Sequence, residues 1–406
     1  MMAMLILGIN GCLSPPDNDF MPDRWPLYFH DAAAAVIRDG AVVAAIEQER
    51  LSRVKHTTAF AGDAALACLA QAGVGPGDID RVAYFFDEDY TDSELYQHYA
   101  TRPRLPLHLS RRLLGDRLRE SLGVDLAADQ LRFVRHHEAH AWTAYPQSGY
   151  DDALVVVMDG SGEYESLSVY SATGGDLKLL TSKDVDHSLG LLYLAGTELL
   201  GYRLSDEYKV MGLAPHGDPA RYRGVFESVY QLDPDGDFTM NFADLPLACY
   251  RAGFRPRRAG EAFTRSHQDF AAGLQETVER IGWHVISHWQ RATGHRRLAI
   301  AGGVGQNCTL NGRLLRTDRF DDVFVHPAAH DAGTAVGAAL LVHAETAGAP
   351  GAGPAPADGG HGGVRRFAPR EVRLLQTCAL AAQLTNGHLR RRFKLRTPRP
   401  APRARA

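Results

Sequence analysis

Cysteine is scarce in this chain of 406 residues: Cys12, Cys68, Cys249, Cys308 and Cys378 are scattered, odd in number and include no C-x-x-C pair. That excludes a disulfide framework and a thiolate metal cluster, and it fits a reducing, cytoplasmic setting. Long apolar runs are missing too. The apolar opening at 4–9 runs straight into a polar turn, without a basic flank or a signal-length core, and no stretch reaches the ~18 residues of a membrane span. No membrane association is expected. A dominant charge sign is also lacking, the formal net charge being −4. The balance is uneven, however, because twelve of the 44 Lys and Arg, against one of the 48 Asp and Glu, lie beyond residue 364. An acidic body with a short basic tail argues against a specific nucleic-acid surface.

What is present is the composition of a globular protein, 45% hydrophobic and 23% charged, with length for two or three domains. Residues 4–9 read as a buried strand, followed by a loop at 11–29 rich in Pro, Asp and aromatics. Segments 32–38 and 41–47 flank Asp39-Gly40, a two-residue hairpin signal. Helical patterns at 62–72 and 105–122 flank a strand at 81–86. A second start comes at Ala153, where an apolar strand ends in Asp159-Gly160-Ser161-Gly162 and a further hairpin pattern follows around Gly174-Gly175-Asp176. Strand, polar turn and hairpin thus recur about 150 residues apart, which predicts a duplicated α/β core of two lobes facing a cleft. We divide the chain into lobe I at 1–150, lobe II at 151–346, and a Gly/Ala/Pro linker with a disordered basic tail at 347–406. Within lobe II, 216–256 reads as irregular, 263–293 as a long amphipathic helix, and 297–301 as a strand entering Gly302-Gly303-Val304-Gly305-Gln306-Asn307.

The chemistry-bearing stretch is Val134-Arg135-His136-His137-Glu138-Ala139-His140. His136 and His140 stand at i and i+4, so on a helix their Cβ atoms lie about 5–6 Å apart on one face, within reach of one metal ion. Asp159 at a strand end and Asp331 at a loop-to-helix junction would complete a mixed N/O site for iron, zinc or manganese; a pair of structural histidines is the simpler alternative. The glycines of Gly160-Ser161-Gly162 and Gly302-Gly303 each follow a strand, where open backbone N–H groups can take phosphate oxygens. Asn307 and Asn311 suit a ribose or base, or equally a helix cap. Lys209 suits a phosphate, or is a solvated helix lysine. His30, followed by Asp31, is a candidate general base, or a surface histidine. The charged run 47–56 reads as a solvated face, with Lys55 and His56 also able to meet an anion.

Taken in order, His30-Asp31 with Ala32–Ala35, the run 47–56, His136-His137-Glu138-Ala139-His140, Asp159-Gly160-Ser161-Gly162-Glu163, the run 208–215, Gly302–Cys308 and Asp331–Gly337 resemble the NodU/CmcH-type O-carbamoyltransferases over residues 4 to about 346. The resemblance implies a duplicated ribonuclease H-like, actin-like fold. It implies transfer of a carbamoyl group from carbamoyl-adenylate, made from carbamoyl phosphate and ATP, to a hydroxyl of a small secondary metabolite. His136, His140, Asp159 and Asp331 then correspond to ligands of a divalent metal, with Fe2+ favoured. Gly160, Ser161, Lys209, Gly302, Gly303 and Asn307 would line the adenylate, while His30 and Asp31 would face the acceptor. Trp25, Tyr28 and Phe29 would form an acceptor wall, and His330 sets an extra imidazole beside Asp331. The YrdC-like activating domain that such enzymes carry is not expected in the Arg/Pro/Ala-rich tail; a frameshift or truncation, or a separate activating domain or protein, would account for that. A catalytically incomplete nucleotide- and metal-binding remnant, and a sugar or acid kinase on the same scaffold, are the competing readings.

Overall fold

An apolar strand, Leu5–Asn10 (β1), is buried along its whole length and sits in the middle of the first of two five-stranded sheets. The structure, a computed structural model, describes residues 4–13, 29–101 and 106–348. Trp25, Tyr28 and the tail from residue 349 lie outside the described residues. β1 pairs antiparallel with β2 (Ala33–Arg38), which turns into β3 (Ala41–Glu47). Asp39 and Gly40 make that turn at φ of 50° and 77°, the left-handed pair that a two-residue type I′ hairpin requires. On its other edge β1 runs parallel to β4 (Arg81–Tyr84), and β4 to β5 (Leu131–Phe133). Helices α1 (Gln48–Ser52), α2 (Gly62–Gln71), α3 (Glu88–Thr101) and α4 (Ser110–Leu122) fill the connections, and α5 (His136–Ser148) follows β5.

The second sheet repeats this plan strand for strand. β6 (Asp152–Met158) pairs antiparallel with β7 (Glu165–Thr173), β7 with β8 (Asp176–Asp184), and β6 runs parallel to a later strand at Arg297–Ala301. Between them lie α6 (Leu189–Leu199), α7 (Glu207–Leu213), α8 (Arg223–Glu227), a small hairpin of β9 (Tyr230–Leu232) and β10 (Phe238–Met240), α9 (Leu245–Arg251) and the long α10 (Arg265–Thr293). The Arg297–Ala301 strand (β11), helix α11 (Cys308–Leu315), β12 (Asp322–Val325) and α12 (Thr334–Ala347) complete the chain, with β12 parallel to β11. The two sheets have orders β3-β2-β1-β4-β5 and β8-β7-β6-β11-β12, with the same antiparallel and parallel pairings at corresponding places. That order is the ribonuclease H-like topology, present twice: the duplicated, two-lobed actin-like fold. Lobe II adds its own cover, because the stretch read as irregular contains α8, β9, β10 and α9, packed with α10 over the second sheet.

The last helix of each half crosses to the other half. Apolar α12 packs on β1, β2 and β4, while α5 packs on β6 and β11. The two helices meet where Gly337 faces Ala139; a Cβ at Gly337 would lie 1.8 Å from the Ala139 carbonyl oxygen. Thr143 closes the crossing, its hydroxyl donating to the carbonyl of Gly333 at 2.7 Å. This crossing brings the start of α5 and the turn before α12 to the ends of β1 and β6. Phe29 is buried against Phe85 and Phe86, so it is part of the first core rather than an acceptor wall; an aromatic beside an apolar strand gains more from burial than from exposure.

Candidate active site

Helix α5 starts two residues after β5 and has no side-chain cap from its own N-cap, Arg135. Its first N–H, from His136, donates instead to the carboxylate of Glu163 at 2.9 and 3.0 Å. One turn on, His140 turns its Nε2 toward that of His136, 3.1 Å away. The ring of His136 packs on Phe85 and Phe86, and the Nδ1 atoms of both histidines find no hydrogen-bond partner among the described residues. Packing therefore aims both Nε2 atoms at one point.

Two carboxylates meet them there. Asp159 follows β6, and its Oδ1 accepts the N–H of Gly303 at 2.8 Å, leaving Oδ2 at 3.1 Å from His136 Nε2 and 3.5 Å from His140 Nε2. Gly302 makes this possible: it stands at φ 87°, and a Cβ would lie 2.2 Å from the carbonyl oxygen of Met158. Asp331 opens the turn ahead of α12, with Oδ1 at 3.7 and 3.6 Å from the same two nitrogens. All four side chains are buried, and one ligand atom from each lies within 4.8 Å of the others. Ligands on an ion at about 2.0–2.2 Å stand roughly 3.0–3.6 Å apart, so the donor set and its spacing fit a divalent cation.

The electrostatics agree. Burial alone would raise Asp159, but hydrogen bonds from His136 and His140 outweigh it and hold the carboxyl well below its ordinary range. Burial would lower His140, and the two aspartates instead bring it up to about 9. A buried Asp159 held ionised calls for positive charge beside it, which a divalent ion supplies.

His30 stands beside this cluster, its Nε2 3.7 Å from Asp331 Oδ2 and its Nδ1 donating to Asp31 Oδ2 at 2.8 Å. Asp31 Oδ1 in turn meets His56 Nδ1 at 2.7 Å. The imidazole of His330 takes the N–H of Ala332 on Nδ1 at 3.2 Å and turns Nε2 toward Glu47 at 3.5 Å.

The residues expected to line a nucleotide are placed unevenly. Gly160 and Ser161 follow Asp159 directly, with the carbonyl of Gly160 accepting from Ser188. Gly302 and Gly303 abut the end of β6. Asn307 caps α11 by accepting from Leu310 N–H at 3.0 Å, and its carboxamide is paired with Gln275. Lys209 pairs with Asp206 and lies over the rings of Tyr202 and Tyr208.

Two contributors went unselected in the sequence. Asn10, fully buried at the end of β1, donates its amide to the backbone carbonyls of Asp331 at 2.7 Å and Asp31 at 3.3 Å. A polar amide ending a wholly apolar strand was the available signal. Glu163 clamps Asp87 N–H at 2.6 Å as well as His136 N–H. Burial pushes it up to about 7, with the pull of His136 and the backbone donors opposing.

Two ribonuclease H-like lobes closing over a buried cluster of two histidines and two aspartates define the class: a duplicated, actin-like protein with a candidate metal centre. Residues 26–340 match the carbamoyltransferase N-terminus family model, and the chain belongs to that family. Nodulation protein NolNO of Sinorhizobium fredii is 41% identical over 343 residues, covering 84% of this chain and 50% of that protein. Nodulation protein NolO of Bradyrhizobium diazoefficiens is 47% identical over 212 residues, covering 52% of this chain and 38% of that protein. The chain spans about half the length of the curated relatives it matches. Among solved structures, full-length HypF in its phosphate- and nucleotide-bound form aligns with a TM-score of 0.42 and 12% identity, over 84% of this chain and 55% of that one. Among the described residues, no helix is long and apolar enough to cross a membrane.

Proposed function

We propose that this chain is a cytoplasmic O-carbamoyltransferase, moving a carbamoyl group from carbamoyl-adenylate to a hydroxyl of a small secondary metabolite such as a sugar or macrolactam. The donor would be made from carbamoyl phosphate and ATP by a separate activating domain or protein. His136, His140, Asp159 and Asp331 would hold a divalent ion; the mixed N/O set suits iron, zinc or manganese, and the family resemblance favours ferrous iron. Such an ion supplies Lewis-acid stabilisation of the charge that develops on the donor.

The chain's own groups would do the rest. Asp31 accepts from His30 Nδ1 and so holds Nε2 toward the cluster, as a carboxylate orients a histidine base elsewhere. Burial opposes a charged His30, but Asp331 and Asp31 bring it up to about 10, so its base form would appear once an ion neutralises the cluster. His30 would take the proton of the acceptor hydroxyl while a bond forms from that oxygen to the carbamoyl carbon. The bond from this carbon to the phosphate oxygen breaks, and AMP leaves with its electrons. We place the adenylate along the loop from Asp159 to Gly162 and the Gly302-Gly303 turn. Lys209 and Asn307 would each exchange a present partner for it.

The observation that carries this reading is Asp331, which faces the imidazole pair with one oxygen and His30 with the other, so that a base stands beside the ion position. The test is to incubate the purified chain with Fe2+, synthetic carbamoyl-adenylate and a panel of sugar and macrolactam alcohols, without ATP. AMP release with a carbamate product is expected. Release no greater than that of the His136→Ala/His140→Ala double variant would overturn the proposal. Binding of the adenylate without product would support a remnant, and, in a parallel incubation with ATP in place of the adenylate, phosphorylation that survives loss of His136 would support a kinase.

A further inference from the structure

Asp31 carries two imidazoles, one on each oxygen: His30 Nδ1 at 2.8 Å and His56 Nδ1 at 2.7 Å. A carboxylate only accepts, so each of these ring nitrogens is a donor. We propose that His56 is a positioning residue for carbamoyl transfer, pinning Asp31 so that His30 keeps Nδ1 on Asp31 and Nε2 aimed at the ion position beside Asp331. The turnover part of this inference rests on the proposed reaction; the geometric part does not.

The local backbone is built to deliver His56 to Asp31. Both residues sit in the left-handed region, at φ 51° and 55°, which costs a non-glycine residue about 1 kcal/mol or more. Such strain persists where the surroundings over-determine it, and here they do. The N–H of His56 donates to Glu49 Oε2 at 2.9 Å. Ala32 N–H donates to the Thr57 carbonyl and Cys12 N–H to that of Thr58, at 3.1 and 3.0 Å, tying the segment to the ends of β1 and β2. Asn10 holds the carbonyl of Asp31. Among the described residues no other side chain stands ready to replace His56: His330 Nδ1 is 3.8 Å from Asp31 Oδ2, and that nitrogen already accepts from Ala332. An exposed ion pair is ordinarily worth little, and the His56 side chain is 46% exposed. Asp31 is only 12% exposed, however, and its other oxygen sets the tautomer of the base. Loss of His56 would free the carboxylate to rotate and would release His30 Nδ1 with it.

Three variants separate the causes. His56→Asn keeps a donor at the Nδ1 position and tolerates the positive φ. His56→Gly relieves the backbone but removes the donor, and His56→Ala removes the donor and keeps the strain. AMP release from carbamoyl-adenylate should fall about 10–100-fold in kcat for the Gly and Ala variants, with KM nearly unchanged, and should recover in the Asn variant. Independently of turnover, 15N-histidine NMR of the Zn2+-loaded full chain should show His30 as the Nδ1–H tautomer in wild type and His56→Asn, and a tautomer mixture in His56→Gly. A single Nδ1–H tautomer retained in His56→Gly, or unchanged turnover there, overturns the proposal. A wild-type chain that releases no AMP would instead sink the carbamoyl-transfer reading, while the tautomer measurement still decides the role of His56.

Discussion

The two lobes share one strand order, yet their corresponding strand ends carry different chemistry. In lobe I the central strand β1 ends in Asn10, a neutral amide spent on two backbone carbonyls. In lobe II the corresponding strand β6 runs into Asp159, a carboxylate turned on the imidazole pair. The imidazoles His30, His136 and His140 come from lobe I, and the carboxylates Asp159 and Asp331 from the lobe II half of the chain. Duplication thus repeats the frame and divides the donor set, so that neither half holds a complete site. The crossing of α5 and α12 at Ala139 and Gly337 joins the two contributions.

Exchanging the two strand ends breaks this comparison most severely at Asp159. Asp159→Asn keeps the acceptor for Gly303 N–H but removes the negative charge, and Fe2+ or Zn2+ affinity, read by calorimetry, should fall at least about 100-fold, more than an outer-shell change costs. Unaltered affinity would remove Asp159 from the ligand set. The reciprocal change, Asn10→Asp, takes the amide donor from the buried carbonyl of Asp331 and the half-buried one of Asp31 and sets a charge against them. It should cost about 3 kcal/mol or more in urea unfolding; a cost under about 1 kcal/mol would show that Asn10 does not brace the two aspartates.

Glu163 sharpens the comparison at the level of pH. Its folded form holds its proton up to about 7, against an ordinary 4.5. A group raised in this way contributes stability that is fully present below the unfolded value and is lost as pH rises through the folded one. Chelator-treated wild type should therefore lose up to about 3 kcal/mol between roughly pH 4.5 and 7 from this group. Glu163→Gln should lack that part of the slope, and identical pH profiles for the two proteins would refute it.

Much of the frame was legible in the residues. Asp39-Gly40 admits few conformations other than its hairpin, and the recurrence of strand, polar turn and hairpin announced the duplicated topology. The helical period set His136 and His140 on one face. Nothing local brings Asp331 to them, since that depends on α12 crossing to the first sheet, and only the ordered motifs connected the two. Helix α3 escaped because its run of Asp, Glu and Tyr has no apolar stripe to show a period. The Gly302-Gly303 turn reads as a phosphate loop by composition, whereas the structure spends the N–H of Gly303 on Asp159. Composition near a glycine turn does not reveal which partner its N–H finds. His56, in a run with the look of a solvated face, reads only as able to meet an anion; that its partner is Asp31 takes the fold that sets the two together.

The smallest expected effect probes how the last helix is held on lobe I. Arg132 of β5 makes a two-pronged pair with Glu345 of α12, its Nε and Nη2 at 3.1 and 2.9 Å from the two carboxylate oxygens. The arginine side chain is about half exposed, at 48%, so water and salt screen the pair. By contrast, α12 buries Ala335, Val336, Ala338, Ala339 and Leu340 against Ile6, Ala33, Ala35 and Ile37, contacts that salt does not weaken. Glu345→Ala should therefore cost only about 0.2–1 kcal/mol at low salt, and less as ionic strength rises. A loss of several kcal/mol, read as a shifted denaturation midpoint with unchanged m-value, would mean that the ion pair rather than apolar burial fastens α12 across the lobes.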